Sequence, residues 1–297
     1  GPARRRRRLR FGAMAAPFDR PSDRPTLRVA QLNAGSLLEP GWEQRRETIV
    51  AWLDHLAADI ICLQEVWRDG SGTDTAAWLI ERLDGVWHHA FGGFGFDESI
   101  TPDSTIEFGS AIASRWPITA SHTEPLPVGK GAGPMVAGVP WELLHVRTAD
   151  VDVFSTHLAA APTDGRHRRL QVRAIDEHVR RIRGDQDALS FGQQRTAMPA
   201  VLCGDFNAEP DSDELRWLRG LTDMDGASTY WLDAWAQAGT GAGFTSDPTG
   251  NPIAASMGVA RKRIDHVFVG DTFQRAGGAG QVLAARLAFD DTLTGIV

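Results

Sequence analysis

The segment Ala200-Val201-Leu202-Cys203-Gly204-Asp205-Phe206-Asn207 is an apolar run that ends in a carboxylate and an amide two residues apart. A short apolar run of this kind reads as a buried strand, and a strand alternates its faces with period two. Asp205 and Asn207 are therefore expected to point the same way from the strand end. A strand that merely filled a core would have little reason to stop on such a pair, because an uncompensated buried carboxylate costs on the order of several kcal/mol. A ligand, a metal or a partner is implied.

The pattern recurs along the chain. Leu27-Arg28-Val29-Ala30-Gln31-Leu32 runs into Asn33, Asp59-Ile60-Ile61-Cys62-Leu63-Gln64 into Glu65, and Val151-Asp152-Val153-Phe154-Ser155-Thr156 into His157. Arg263-Ile264-Asp265-His266-Val267-Phe268-Val269 is a further case. Any one of these is read most simply as a strand ending in a polar turn. Together they deliver Asn, Glu, His and Asp from several strand ends, and ligand sites in α/β sheets gather where strand ends meet a crevice. A shared site is the economical reading.

These residues resemble a known family. QLN at 31–33, LQE at 63–65, STHL at 155–158, GDFN at 204–207 and RIDH at 263–266 occur in the order used by the endonuclease/exonuclease/phosphatase superfamily. That superfamily includes pancreatic-type deoxyribonucleases, abasic-site endonucleases, neutral sphingomyelinases and inositol-polyphosphate phosphatases. Ala111-Ile112-Ala113-Ser114-Arg115-Trp116-Pro117-Ile118 is similar to a further strand of the family, and Gly243-Phe244-Thr245 with Asn251-Pro252 to the loop before its late strand. The likeness spans residues 26–269 and rests on the combination, since each motif alone is weak.

The resemblance implies a four-layer α/β/β/α sandwich with two mixed β-sheets packed face to face. It also implies a hydrolase of phosphate esters, a phosphodiesterase or endonuclease using a metal-activated water, with Mg²⁺ or Mn²⁺ as cofactor. The residue types agree: Asn and Glu oxygens make a hard position suited to Mg²⁺ or Mn²⁺, whereas thiolates or several imidazoles would suggest zinc. By the resemblance Glu65 is the principal metal ligand, with Asn33 beside it. Asp205 and Asn207 would orient the attacking water and hold the phosphate. His157 would hydrogen-bond a phosphate oxygen or protonate the leaving group, a role suited to a side chain that exchanges its proton near neutral pH.

One departure stands out. Members of the family finish on a Ser-Asp-His strand end whose histidine is the general base, oriented by the aspartate matched here by Asp265. This chain runs to Thr294-Gly295-Ile296-Val297 without that motif, and His266 is expected on the strand face opposite Asp265. Leu287-Ala288-Phe289-Asp290 reads as a strand leading toward the missing motif, so a truncated version of a working enzyme is expected. The competing reading is a noncatalytic phosphate- or nucleic-acid-binding module that lacks the base. Sphingomyelinase-like and sugar or inositol phosphatase activities are further alternatives, because substrate choice in the superfamily sits in variable loops.

Composition sets outer limits. The chain has 297 residues and 42% hydrophobic content, enough for a sizeable core, and its motifs span so much of it that one domain over residues 26–297, missing its last strand, is expected. Residues 1–25 lack the periodicity of a packed element and read as a disordered tail; the basic run Arg4-Arg5-Arg6-Arg7-Arg8 could instead contact nucleic acid or lie upstream of a natural start at Met14. The net charge of −7 disfavours nonspecific duplex binding without excluding a local basic groove. Arg166, His167, Arg168, Arg169 and Arg173 are candidates for one, although the solvated face of a helix is the plainer reading. No run of about 20 apolar residues is present, so no membrane span is expected. A cytoplasmic monomer is the default, with a phosphate-ester substrate, possibly nucleic acid, as the partner and no protein partner inferable. Cys62 and Cys203 lie in apolar segments without metal-ligand spacing and are expected as buried reduced thiols.

Helical patterns fill the intervals. Residues 42–57 put Ile49, Leu53 and Leu56 on one face with Trp52 beside them, 75–83 form a second helix, and 168–182 place Leu170, Ala174, Ile175, Val179 and Ile182 at helical spacing. Ser212 before Asp213 and Glu214 is a helix-start signal. The glycine-rich aromatic stretch at 88–96 could stack on bases or meet lipid, but its plainer reading is a half-buried irregular strand.

Overall fold

The computed structural model describes residues 26–98, 100, 105–184, 198–256, 258, 260–270 and 279–289; the expected tail at 1–25 lies outside them. The elements run β1 (Val29–Asn33), α1 (Trp42–Leu56), β2 (Ile60–Arg68), α2 (Thr75–Ile80), β3 (His88–Gly95), β4 (Glu107–Ser114), β5 (Ile118–Pro125), α3 (Pro134–Gly138), β6 (Glu142–Thr148), β7 (Val151–His157), α4 (Gly165–Arg183), β8 (Val201–Asp205), α5 (Asp213–Leu218), β9 (Trp231–Asp233), α6 (Ala234–Ala238), α7 (Pro252–Ser256) and β10 (Asp265–Gly270).

The strands form two sheets, in the orders β1-β2-β4-β3 and β5-β6-β7-β8-β10-β9. Each is mixed, because β1 runs parallel to β2 and β7 to β8 while the other pairs are antiparallel. Period two then sorts the apolar side chains. Ile60, Cys62 and Ile112 of the first sheet meet Leu144, Val146, Val153, Val201 and Cys203 of the second. Their neighbours Ile61, Leu63, Ala111 and Ala113 face outward onto Ile49, Trp52 and Leu53 of α1 and Ala76 and Leu79 of α2. On the far side Leu143, Phe154, Leu202 and Phe268 pack on Val172, Ile175 and Val179 of α4 and Leu215 and Leu218 of α5. Strands buried on both faces read as continuous apolar runs, as the sequence shows. The result is the four-layer α/β/β/α sandwich.

Several local expectations change. In α4 the buried stripe is His167, Arg168, Gln171, Val172, Ile175, Asp176, His178 and Val179, whereas Leu170 and Ile182 are exposed. The helix is rotated because the Arg168 guanidinium is drawn inward: it donates to Glu214 Oε1 at 2.6 Å and to the carbonyls of Ala159 and Ala161. His167 is buried too, accepting from the Gly129 N–H, which leaves Arg166, Arg169 and Arg173 on the outer side. Ser212 does precede α5, but its hydroxyl makes no capping bond.

Residues 287–289 are not a strand: they pair with no ladder, and Phe289, at φ +58°, packs its ring 5.5 Å from that of Trp52. An isolated extended segment gains more from burying that ring than from unpaired backbone. Asp290 lies outside the described residues. The aromatic stretch at 88–96 does become a half-buried edge strand, β3, and its glycines have a packing cause. A Cβ on the facing Gly109 would stand 2.1 Å from the Gly92 carbonyl oxygen. Cys62 and Cys203 are free and buried between the sheets, where their mutual hydrogen bond and then burial push the Cys203 thiol well above the usual range. Among the described residues no helix is long and apolar enough to cross a membrane.

Candidate active site

The strand register brings the candidate residues to one end of the sandwich. His157 lies opposite Asp205 in the parallel β7/β8 pair, and Asp265 lies opposite Asp205 in the antiparallel β10/β8 pair. Gln31, Asn33, Gln64, Ser155, His157, Asp205 and Asp265 share strand parity with Val29, Cys62, Val153, Cys203 and Val267, which pack between the sheets. The inter-sheet layer thus turns from apolar to polar as it reaches this end.

Glu65 breaks the parity and still arrives. Alternation would send it outward with Ile61 and Leu63, but β2 bulges between Leu63 and Val66 and Glu65 adopts φ +53°. A bulge re-aims a side chain, and a left-handed non-glycine residue costs about 1–3 kcal/mol unless its surroundings hold it. Here they do: the Ser36 N–H and hydroxyl both donate to the Glu65 carbonyl, at 3.0 and 2.7 Å. Asn207 also reaches the site by a turn. β8 ends at Asp205, Asn207 sits at φ +49°, and its N–H donates to Asp205 Oδ1 at 2.9 Å. The two side chains converge as the sequence suggests, through this left-handed turn and not through strand alternation.

The polar groups interlock. The Asn33 amide donates from Nδ2 to Glu65 Oε1 at 2.8 Å and to Asp205 Oδ2 at 3.1 Å, while its oxygen accepts from the Gly35 N–H. Asn207 Nδ2 donates to the Leu158 carbonyl at 2.9 Å and lies 3.1 Å from His157 Nε2. The Leu158 bond fixes the amide with its nitrogen toward the imidazole. His157 Nε2 is 3.9 Å from Glu65 Oε1, and Trp141 meets the imidazole edge to face at 5.2 Å. Beneath lies a floor in which Gln31 Nε2 donates to Gln64 Oε1 at 2.6 Å and to Asp265 Oδ1 at 3.0 Å, and Gln64 Nε2 donates to Ser155 Oγ at 2.8 Å.

Negative charge is crowded here. Burial, then the neighbouring Asp205 carboxylate, pushes Asp265 up to about 7 despite bonds from Thr245 and Gln31. Glu39 is likewise raised, by burial and by Glu65 and Asp205, against the opposing pull of Arg45. The converging carboxylates of Glu65 and Asp205 fit a hard divalent cation, which would relieve this repulsion, and Asn33, whose Nδ2 now bridges the two, would join them by turning its amide oxygen inward. His266 takes no part: it is buried on the opposite face, beside Arg263 Nη1 and the Ala208 carbonyl, and burial, then Arg263, lowers it to about 4.

Glu39 escaped the sequence reading because it sits in a connection without periodicity. Gln31 and Gln64 were visible in their motifs, and their shared parity with Asn33 and Asp205 was the signal for a structural role. The structure thus brings together Asn33, Glu65, His157, Asp205, Asn207 and Asp265.

The fold is thus a doubly layered mixed-sheet sandwich with an acid-lined crevice at its strand ends. The model of the Endonuclease/Exonuclease/phosphatase family matches residues 30–285, and the chain belongs to that family, whose members are hydrolases of phosphoester bonds that typically use divalent metals. It is 26% identical over 188 residues to Protein angel homolog 2 of Danio rerio, covering 60% of this chain and 30% of that protein, so it spans under a third of that relative's length. Among solved structures it resembles an endonuclease/exonuclease/phosphatase from Beutenbergia cavernae, with TM-score 0.57, 23% identity and coverage of 83% of this chain and 64% of that one. It also resembles a β-hairpin deletion mutant of beta toxin from Staphylococcus aureus, with TM-score 0.58, 17% identity and coverage of 88% and 93%. At these identities the structural likeness bears on fold alone.

Proposed function

We propose that this chain hydrolyses phosphate esters with a divalent metal, Mg²⁺ or Mn²⁺, and acts as a phosphodiesterase or endonuclease. The observation that supports this most is the convergence of Glu65, Asn33, Asp205 and Asp265 with His157 and Asn207 at one sheet end. Glu65 is the principal metal ligand, with Asn33 beside it. Such an ion, when bound, polarises a phosphoryl oxygen and stabilises charge on the leaving oxygen. Asp205 orients the attacking water, Asn207 holds the phosphate, and His157 hydrogen-bonds a phosphate oxygen or protonates the leaving group. Asp265, held by Gln31 and Thr245, is the group that would orient a general base.

The competing reading is a phosphate-binding module without turnover. The test is hydrolysis of an aryl phosphodiester and of plasmid DNA with Mg²⁺, Mn²⁺ or chelator, for the chain and its Glu65→Ala variant. Metal-dependent turnover that falls at least ~100-fold in the variant, with the melting temperature held, supports the hydrolase. Equal turnover would remove Glu65 from the site, and metal-independent binding of phosphate without turnover would favour the module.

A further inference from the structure

A second cluster of metal-ligating side chains lies on the outer face of the six-stranded sheet, and it differs from the candidate active site in chemistry. His122 and Glu124 are two residues apart on the edge strand β5 and so share a face; His178 reaches them from α4. One ligand atom from each of the three lies within 4.8 Å of the others. Glu124 Oε2 is 3.1 Å from His122 Nε2 and 3.6 Å from His178 Nδ1, and the two imidazoles are stacked with centroids 5.2 Å apart.

We propose that His122, Glu124 and His178 form a second metal site that takes a zinc-class divalent ion and clamps β5 to α4. Two imidazoles and one carboxylate are borderline donors of the kind zinc prefers, whereas the proposed strand-end ligands Glu65 and Asn33 are a carboxylate and an amide. The place already attracts positive charge. Arg181 Nη2 donates to His178 Nδ1 at 3.0 Å and to Glu124 Oε1 at 3.4 Å, so a guanidinium stands where the ion would. Its side chain is 62% exposed, so it can turn outward into water when an ion takes its place. His178 is buried and its Nε2 has no hydrogen-bond partner, so the ring is held only on the Nδ1 side that faces this cation. Three protein ligands leave a fourth position, which the exposed side of His122 opens to water.

The experiment is calorimetric titration with Zn²⁺, in saturating Mg²⁺, of the chain and its His122→Ala, Arg181→Ala and Glu65→Ala variants. His122 is exposed on an edge strand, so its variant should melt like the parent without zinc. One zinc per chain is expected, weakened at least ~100-fold by His122→Ala, since even the loss of a group behind a ligand costs 10–100-fold. Arg181→Ala should tighten binding by removing the competing cation, and Glu65→Ala should leave it unchanged. Cobalt substitution in the parent should give tetrahedral visible bands that His122→Ala abolishes. Zinc binding that ignores His122→Ala, or vanishes with Glu65→Ala, would overturn the proposal. Because the readout is binding, it stands or falls apart from any phosphoesterase activity.

Discussion

Glu142 opens β6 with its side chain between the sheets, on the same face as Leu144 and Val146, and is 1% exposed. Its side-chain partner is the Ser110 hydroxyl, which donates to Oε1 at 2.6 Å. Burial pushes its carboxyl from 4.5 up to about 8, with Ser110 opposing, so the group is mostly protonated at pH 7. A folded pKa above the unfolded one means that the contribution to stability is complete below pH 4.5 and is lost as pH rises through about 8. At ~1.4 kcal/mol per unit, the two and a half units between 4.5 and 7 remove about 3 kcal/mol. Glu142→Gln keeps the shape and an acceptor for Ser110 but cannot ionise. Relative to the parent, it should therefore gain about 3 kcal/mol between pH 4.5 and 7, or roughly 6–12 °C in melting temperature for a domain of this size. Thermal melts of both proteins across that range decide the matter. Parallel profiles would mean that the carboxyl ionises freely in the native state and that the buried, neutral assignment is wrong.

Two further substitutions test the packing. Gly109→Ala would set a Cβ 2.1 Å from the Gly92 oxygen and 2.6 Å from Gly93 Cα, both backbone atoms that cannot turn aside. It should cost about 3 kcal/mol in urea unfolding, while Gly133→Ala, whose Cβ meets nothing within 4 Å, should fall within ~0.5 kcal/mol of the parent; similar costs for both would discard the close-approach account. Arg263→Ala strips Asp233 of both its guanidinium bonds, at 2.7 and 3.1 Å, and should destabilise by about 3–5 kcal/mol. Pairing Arg263→Met with Asp233→Asn should recover most of that loss, and a double variant no better than the single one would argue against an uncompensated charge as its source.

The layers and much of the site were legible in the chain. Apolar runs such as 200–203 and 60–63 read as buried strands, the polar residues at their ends pointed to one crevice, and the family resemblance implied the two packed sheets. Other features depended on contacts distant in sequence. The turn of Glu65 into the site follows from a bulge held by Ser36, a residue from another connection, which no periodicity in 60–68 announces. The rotation of α4 follows from Glu214 pairing with Arg168. Likewise the alignment of His122 and Glu124 with His178 exists only because α4 packs across an edge strand more than forty positions earlier in the chain. Sequence by itself determined what is local and periodic: the buried strands of the two sheets, the helices between them, and which strand ends carry polar groups. Tertiary structure alone decided where strained backbone and buried charge are tolerated, because each needs partners that only the packed chain supplies.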